Sequence, residues 1–359
     1  MRISPSQLVY KPKLDIKTSA SENMAANTIT QGYEAAIYDR QIRLWGLDAQ
    51  QRHDVTRNLI RDSHILVAGI RAISNEALKN LALAGVGSIT LLDHGIVREE
   101  DLGAQFFLTH ADIGKNRAVA AAPAIQALNP RVSVQVDQED IRPKDDAYFQ
   151  SFDIVCLIHT DPELVTRIDR LRREVNKPFY AADAFGWFGY IFCDLMTHAY
   201  TEEKKTLPPG AKSTQEPIVK RTKHIEQYDS FEVSLQRDWS NMTLKALKKR
   251  VPVVHFLTHS LLKFQQEHKR SPTEHDADLL KQSKAKYLQQ MGVSDPDILD
   301  DSLIMDLARF YETELAPVAA ILGGVLAQEI IRALSGKEFP IQNWFFYNGL
   351  DGSGVTYKV

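Results

Sequence analysis

The sequence has few cysteines, little net charge and no long apolar run. Cys156 and Cys193 each lie inside an apolar segment and form no Cys-x-x-Cys pair, so neither a disulfide framework nor a structural zinc site is indicated. The formal charge of -3 provides no basic field, so nucleic acid is not expected as a partner. No apolar window approaches the roughly 18 residues of a membrane span, and no membrane association is expected. We expect a soluble, intracellular protein.

Strands and helices are predicted to alternate along the first half of the chain. Residues 1–31, rich in Ser, Thr, Lys and Asn, predict a flexible extension. Residues 32–197 then predict an α/β fold with a mostly parallel sheet covered on both faces. The predicted strands are His64–Ile70, Ser88–Asp93, Val132–Val136, Asp153–Ile158 and a pair within Phe179–Leu195; the predicted helices are Asn75–Ala84, Lys115–Leu128 with a kink at Pro123, and one from the Asp161 cap to Val175.

Residues 198–306 have a different character, charged and without β alternation. We interpret them as an inserted helical subdomain. Ser271–Glu274 has the spacing of a capping box and predicts a helix through Gln290. Residues 307–359 return to the first domain, with a long helix that ends at Gly336 and a strand at Trp344–Gly349. Small residues along that helix, namely Ala316, Ala320, Gly323 and Ala327, indicate either core packing or a protein interface.

The turn after the first predicted strand holds one of the three glycines that a phosphate-binding loop needs. Those glycines let backbone N–H groups approach phosphates at a helix N-terminus. Here Gly69 is present, but Ala72 and Ser74 occupy the next two places, where side chains would enter the phosphate space or tilt the helix. Strand, turn, helix and the acidic strand end at Asp93 follow in the expected order. We therefore predict a nucleotide-binding fold with an impaired pocket; the alternative is a Rossmann-like fold with an ordinary tight turn.

Three segments together resemble one family. They are YDRQIRLWG (Tyr38–Gly46), the segment from Leu81 to Phe107 that ends in DLGAQFF, and the segment from Leu315 to Val355. They are similar to the activating enzymes (E1s) of ubiquitin-like proteins, and the likeness covers nearly the whole chain from Tyr33. It implies a Rossmann-like adenylation fold of the ThiF type. The length and the lack of a cysteine-bearing catalytic domain most resemble the smaller, non-catalytic E1 subunit of the SUMO type; the NEDD8-type subunit is a longer alternative.

The resemblance implies that the catalytic chemistry lies in a partner. That catalytic subunit of the SUMO E1 would carry the thioester cysteine and most contacts to ATP and Mg²⁺, and SUMO and the E2 conjugating enzyme would be met through the complex. Arg40 would reach the partner's ATP phosphates in trans, where a guanidinium stabilises developing charge. Arg43 would support it or bind the partner. Without the resemblance, both arginines are equally typical of a solvated helix surface.

The family's own site residues are only partly retained here. By resemblance, Asp93 matches a ribose-binding acid, Arg117 replaces a lysine, and Asp161 matches an aspartate that orients magnesium, although Asp161 is also typical of a helix N-cap. Ala104 stands where the family has a phosphate-binding arginine. We therefore expect no ATP, and no metal, bound by this chain alone. Cys156 and Cys193 are predicted to be core residues, and His159 is predicted not to bind metal.

Other functions stay open at this stage. A self-sufficient homodimeric adenylyltransferase of the sulfur-carrier type is disfavoured by Ala72, Ser74 and Ala104 and by the lack of Cys-x-x-Cys pairs. A nicotinamide-dependent oxidoreductase is disfavoured by the same loop. A scaffold with an inert Arg40 is the remaining alternative. The resemblance implies a nuclear and cytoplasmic location, and Leu244–Arg250 is either a nuclear-import patch or a solvated helix face.

Overall fold

The computed structural model describes residues 58–206 and 218–358. The predicted extension at 1–31, and the segment with Arg40 and Arg43, lie outside the described residues. The strands are β1 (His64–Ala68), β2 (Ser88–Leu92), β3 (Ser133–Asp137), β4 (Ile154–Ile158), β5 (Phe179–Phe185), β6 (Phe188–Asp194), β7 (Thr197–Thr206), β8 (Ile218–Gln227), β9 (Trp344–Asn348) and β10 (Ser353–Tyr357). The helices are α1 (Ala72–Ala84), α2 (Arg117–Leu128), α3 (Asp146–Gln150), α4 (Pro162–Glu174), α5 (Phe231–Ser234), α6 (Leu244–Arg250), α7 (Val253–His268), α8 (Ala277–Gln290), α9 (Asp301–Phe310) and α10 (Ala316–Ser335).

Eight strands form one sheet in the order β10-β9-β6-β5-β4-β1-β2-β3. The neighbours from β5 to β3 are parallel, whereas β6, β9 and β10 are joined antiparallel. The mostly parallel α/β fold predicted from the sequence is confirmed. In β1, Ile65 and Val67 point into one hydrophobic core and Leu66 and Ala68 into the other. Because both faces of the sheet are covered, the strand is apolar from Ile65 to Ala68.

The two faces of the sheet are covered by different helices. Residues of α1, α2 and α10 contribute to one core cluster, and residues of α4, α7, α8 and α9 contribute to the other. Because β1 pairs in parallel with β2 and β4, the carboxyl ends of these three strands lie at one edge of the sheet. The start of α1 lies beside them. In parallel α/β sheets this edge is where ligands bind.

The charged segment begins with strands, which the sequence analysis did not predict. β7 and β8 pair antiparallel from Thr197 opposite Gln227 to Thr206 opposite Ile218. The ribbon gives no apolar alternation because its outward positions carry mixed charges. Backbone pairing joins the two strands, and the exposed ion pair of Arg221 Nε with Glu203 Oε1 at 2.7 Å adds little. The helices predicted for the rest of the segment are present as α5 to α9.

Several helix and strand boundaries differ from the prediction. α1 begins at Ala72, three residues before the predicted start. The predicted box at Ser271–Glu274 is wrong, because Thr273 and Asp276 form the box in a 3₁₀ turn that precedes α8. Asp276 accepts hydrogen bonds from the Thr273 amide and from Arg270. Asp276, and not Glu274, is therefore the acid of the capping box. α10 ends at Gly336, with φ of 61°, as predicted, and β10 was not predicted.

Candidate functional site

The turn between β1 and α1 needs its glycine for packing. Gly69 has φ of +87°, and a Cβ built there would lie 2.3 Å from the carbonyl oxygen of Ile158 at the end of β4. The Gly69 amide also donates to the Leu92 carbonyl at 2.9 Å. Both the backbone conformation and the close approach exclude a side chain. This glycine is therefore required by the fold, with or without a phosphate beside it.

Ala72 and Ser74, which stand in place of the other two loop glycines, both make hydrogen bonds within the protein. The Ser74 hydroxyl accepts from the Arg71 amide at 2.6 Å and donates to the Arg71 carbonyl at 2.7 Å. It is buried and turned back onto the loop. The Ala72 amide donates to Glu314 Oε1 at 2.8 Å. The start of α1, where an anion binds in a working loop, thus already has a carboxylate.

Asp93, at the carboxyl end of β2, is buried, and each of its carboxylate oxygens accepts a backbone amide. Oδ2 accepts from the Ile70 amide at 2.7 Å, and Oδ1 accepts from the Gly95 amide at 2.6 Å. Arg117 lies beside it, with Nε 3.3 Å from Oδ2 and Nη1 3.8 Å from Asp101 Oδ1. Of the residues predicted at the former site, Gly69, Asp93 and Arg117 are therefore brought together. Asp93 and Arg117 contact each other, and Gly69 binds the Leu92 carbonyl.

Asp161 has a structural role at the start of α4. Its Oδ1 accepts from the Leu164 amide at 2.9 Å, and Pro162 occupies the first helical position. This is the N-cap interpretation of the sequence pattern.

A charge network at the same edge was not predicted from the sequence. His159 Nδ1 lies 2.9 Å from Asp183 Oδ1, and its Nε2 lies 3.4 Å from Glu312 Oε1. Arg71 donates to Glu312 Oε2 at 2.7 Å. Tyr311 stacks on the imidazole, with ring centroids 4.9 Å apart. His159 follows the end of β4, and Asp183 lies in β5, which pairs with β4 in parallel. Their contact could therefore have been predicted from the sequence. The contact with Glu312 could not, because Glu312 lies in a distant part of the chain.

Charge decides the protonation states in this network. Burial lowers the pKa of His159, but the carboxylates of Asp183 and Glu312 together outweigh this effect and raise the pKa to about 9. The hydrogen bond from His159 and the neighbouring Arg71 lower the pKa of Glu312 to about 2. His159 is consequently an imidazolium at neutral pH and Glu312 a carboxylate.

The space left at this edge is small. A cavity of about 190 Å³ is lined by residues that include Gly69, Arg71, Asp93, Arg117 and His159. Ligand pockets for molecules of drug size have volumes of roughly 300–1,000 Å³. The acceptors of Asp93 are occupied and Glu314 lies at the start of α1. These residues do not fit an adenine nucleotide.

The two cysteines are core residues, as predicted. Both are buried and unpaired, and the Cys193 thiol donates to the Ile341 carbonyl at 3.0 Å. Burial raises the pKa of both thiols, whereas a nucleophilic cysteine needs a lowered one. Within residues 58–206 and 218–358, no group of three or more His, Cys, Asp or Glu is placed to hold a metal ion.

Helix α10 has two apolar faces. Gly323 packs on α1, since an added Cβ would lie 2.5 Å from the Ile73 carbonyl. On the outward face, Ile321 is 40% exposed and a Cβ at Gly324 would meet nothing within 4 Å. Of the helices described, α10 alone is long and apolar enough to cross a membrane by length and composition, but it packs against α1, β5 and β6 as a core helix does. The small residues therefore serve core packing on one side and leave an apolar surface on the other.

Known proteins match this chain over most of its length. The model of the ThiF family matches residues 38–358. The SUMO-activating enzyme subunit 1 of Rattus norvegicus is 40% identical over 342 residues, which cover 90% of this chain and 93% of the relative. The Homo sapiens protein of that name is 39% identical over 342 residues, with 90% and 94% covered. The Danio rerio protein is 39% identical over 346 residues, with 92% and 96% covered.

Proposed function

The chain belongs to the ThiF family and is a homologue of SUMO-activating enzyme subunit 1, and on this premise we propose that it is the non-catalytic subunit of a heterodimeric SUMO E1. Its partner would hold ATP and Mg²⁺ and carry the thioester cysteine. This chain would complete the partner's adenylation site in trans. The adenylated group would be the SUMO C-terminus, and the E2 conjugating enzyme would be met through the complex.

One observation carries this proposal: the chain's own nucleotide loop is occupied by its own groups. Glu314 accepts from the first amide of α1, and two backbone amides and Arg117 surround the Asp93 carboxylate. A self-sufficient adenylyltransferase needs this edge free for ATP. A subunit whose working ATP lies elsewhere does not.

The outward face of α10 supports the need for a partner. Ile321 and Gly324 lie on a long helix whose inward face already packs on α1. Apolar helix surfaces that a monomer leaves exposed are typical of protein interfaces. We assign this face to the catalytic subunit.

Arg40 is the residue proposed to act on the partner's ATP. When a carboxylate attacks the α-phosphate, charge develops on the α-phosphoryl oxygens and on the leaving pyrophosphate. A guanidinium supplied in trans would stabilise that charge. Arg40 and Arg43 lie outside the described residues, so both roles rest on the resemblance.

We also propose a nuclear and cytoplasmic location. The exposed cations of α6, which include Lys245, Lys248 and Arg250, are available to an import receptor but are equally typical of a solvated helix face.

The test is SUMO-dependent exchange of labelled pyrophosphate into ATP. It compares the full chain alone, the catalytic subunit alone, the mixture, and mixtures with Arg40→Ala or with Lys248→Ala as an exposed-cation control. We expect exchange only in the mixture. Arg40→Ala should reduce it by about 100-fold or more, within the range for loss of one transition-state donor, and should leave heterodimer formation unchanged.

Each alternative gives a different result. Exchange by the chain alone would indicate a self-sufficient adenylyltransferase. Full exchange with Arg40→Ala would indicate a scaffold. Exchange with NEDD8 in place of SUMO would identify the other E1 pathway.

A further inference from the structure

We propose that the former nucleotide loop is self-liganded: Glu312 and Glu314 occupy its anion positions and thereby fix the start of α10. Both acids lie in the short segment between α9 and α10. They are far from the loop in sequence, since Glu314 and Ala72 are 242 residues apart. The contact is therefore a feature of the folded chain and not of the turn itself.

Glu314 makes the contact that a phosphate oxygen makes in a working loop. Its Oε1 accepts from the Ala72 amide at 2.8 Å, and its Oε2 accepts from Gln105 Nε2 at 3.1 Å. Gln105 is fully buried and also donates to Asp101 Oδ1 at 3.1 Å. A carboxylate at the first amide of a helix interacts favourably with the helix dipole. Both oxygens of Glu314 are thus held in place.

Glu312 neutralises the cations of the same edge. It bridges Arg71, at 2.7 Å, and His159, at 3.4 Å. Asp183 holds the other nitrogen of His159 at 2.9 Å. Arg71, His159 and Arg117 are cationic groups that an incoming polyphosphate would meet here, and each already has a carboxylate partner, which for Arg117 is Asp93. An external anion would therefore compete with Glu312 and Glu314 for this edge.

The contact also reaches the helix assigned to the partner. α10 begins at Ala316, two residues after Glu314, and its N-cap residue Leu315 makes no side-chain capping bond. Glu314 therefore joins the start of α10 to the start of α1, and Gly323 packs the two helices together about two turns further along α10. Loss of Glu312 and Glu314 should loosen the first turn of α10.

The first test uses thermal unfolding of the full chain with pyrophosphate as the probe. It compares wild type, Glu312→Ala/Glu314→Ala, and Glu232→Ala/Glu274→Ala, a control that removes two exposed acids, one from α5 and one from the 3₁₀ turn before α8. We expect Tm to fall by roughly 2–4 °C or more in the first variant only. Pyrophosphate should raise the Tm of that variant and leave the others unchanged at matched ionic strength, because only there is the anion position empty.

Three outcomes would overturn the proposal. They are a wild-type Tm for the Glu312→Ala/Glu314→Ala variant, an equal rise of Tm with pyrophosphate in wild type, and a lowered Tm that pyrophosphate does not restore. Should the double variant not fold, Glu314→Gln takes its place. That variant keeps an oxygen for the Ala72 amide but loses the charge. We expect pyrophosphate to raise its Tm as well, by a smaller amount than in the double variant.

The second test measures affinity for the catalytic subunit, and this part rests on the proposed function. We expect the Glu312→Ala/Glu314→Ala variant to bind about 10-fold more weakly than wild type and the control variant to bind equally. Equal affinity of all three would overturn the effect on α10. Failure of the wild-type chain to bind would contradict the proposed function instead, while the Tm measurements would still decide whether the loop is self-liganded.

Discussion

At the scale of single residues, groups that would bind a nucleotide in this fold bind the protein's own backbone and side chains. Ser74 binds both backbone groups of Arg71, and Asp93 accepts from the amides of Ile70 and Gly95. Each bond satisfies a polar group of this edge from within the protein. These particular groups therefore do not depend on a nucleotide for a hydrogen-bond partner.

Gly69→Ala should destabilise the full chain by about 3 kcal/mol, since strained backbone costs about 1–3 kcal/mol and the close contact adds to it. The residue has φ of +87°, and its Cβ would meet the Ile158 carbonyl at 2.3 Å. Denaturant unfolding measures the change. Gly103→Ala is the matched control, because a Cβ at Gly103 meets nothing within 4 Å. Equal stability of the two variants would contradict the packing role of Gly69.

At the scale of elements, α7 contains two buried histidines that lie side by side. His255 and His259 are almost fully buried, and their ring centroids are 4.4 Å apart. In the part of the chain described here, none of their four ring nitrogens has a hydrogen-bond partner. Burial lowers the pKa of His259 to about 3, with a further contribution from Lys263, and lowers that of His255 well below its usual range.

These histidines should make the protein sensitive to acid. Their pKa is lower in the folded than in the unfolded state, so stability is complete above the unfolded value of about 6.5 and falls as pH falls below it. The loss is at most about 1.4 kcal/mol per pH unit for each histidine, or roughly 4 kcal/mol for the pair between about pH 7 and pH 5. His159 has the opposite sign, because its pKa is raised to about 9, so its contribution is lost at alkaline pH.

Denaturant unfolding at several pH values tests the pair. His255→Phe/His259→Leu should flatten the dependence of unfolding free energy on pH in this window. His275→Gln, at an exposed position, should leave the slope at its wild-type value. A double variant with an unchanged slope would show that other groups cause the acid sensitivity.

The outward face of α10 predicts an interface that a single charge can disrupt. Ile321→Glu should weaken binding to the catalytic subunit by about 10-fold or more, because it places an unpaired charge in a desolvated contact. The Tm of the chain alone should stay within a few degrees, since Ile321 is 40% exposed. Leu279→Glu, at a 36% exposed position on α8, is the control. Unchanged binding by Ile321→Glu would place the interface elsewhere.

At the scale of the whole molecule, local patterns predict the sheet but not the contacts that close the site. Segments such as Ile154–Ile158 are apolar on both faces, which identifies them as central parallel strands. The β7–β8 ribbon has no such pattern, because its strands are rich in polar and charged residues and are joined by backbone pairing. Glu312 and Glu314 could not be placed beside Gly69, since no local pattern relates positions more than 200 residues apart. The lone glycine therefore predicts an impaired loop without showing what occupies it.

The two subunits of the proposed enzyme should differ in their response to nucleotide. A ligand that binds only the folded state stabilises it by RT ln(1 + [L]/Kd), about 2.7 kcal/mol at a concentration 100 times Kd. The chain alone has a cavity of about 190 Å³ at its former site, so millimolar Mg-ATP should leave its Tm unchanged. The heterodimer should be stabilised through the partner's site, and Arg40→Ala should reduce that shift without preventing assembly. A rise in Tm of the isolated chain with Mg-ATP would mean that Glu312 and Glu314 yield to nucleotide, and the assignment of ATP to the partner alone would then be wrong.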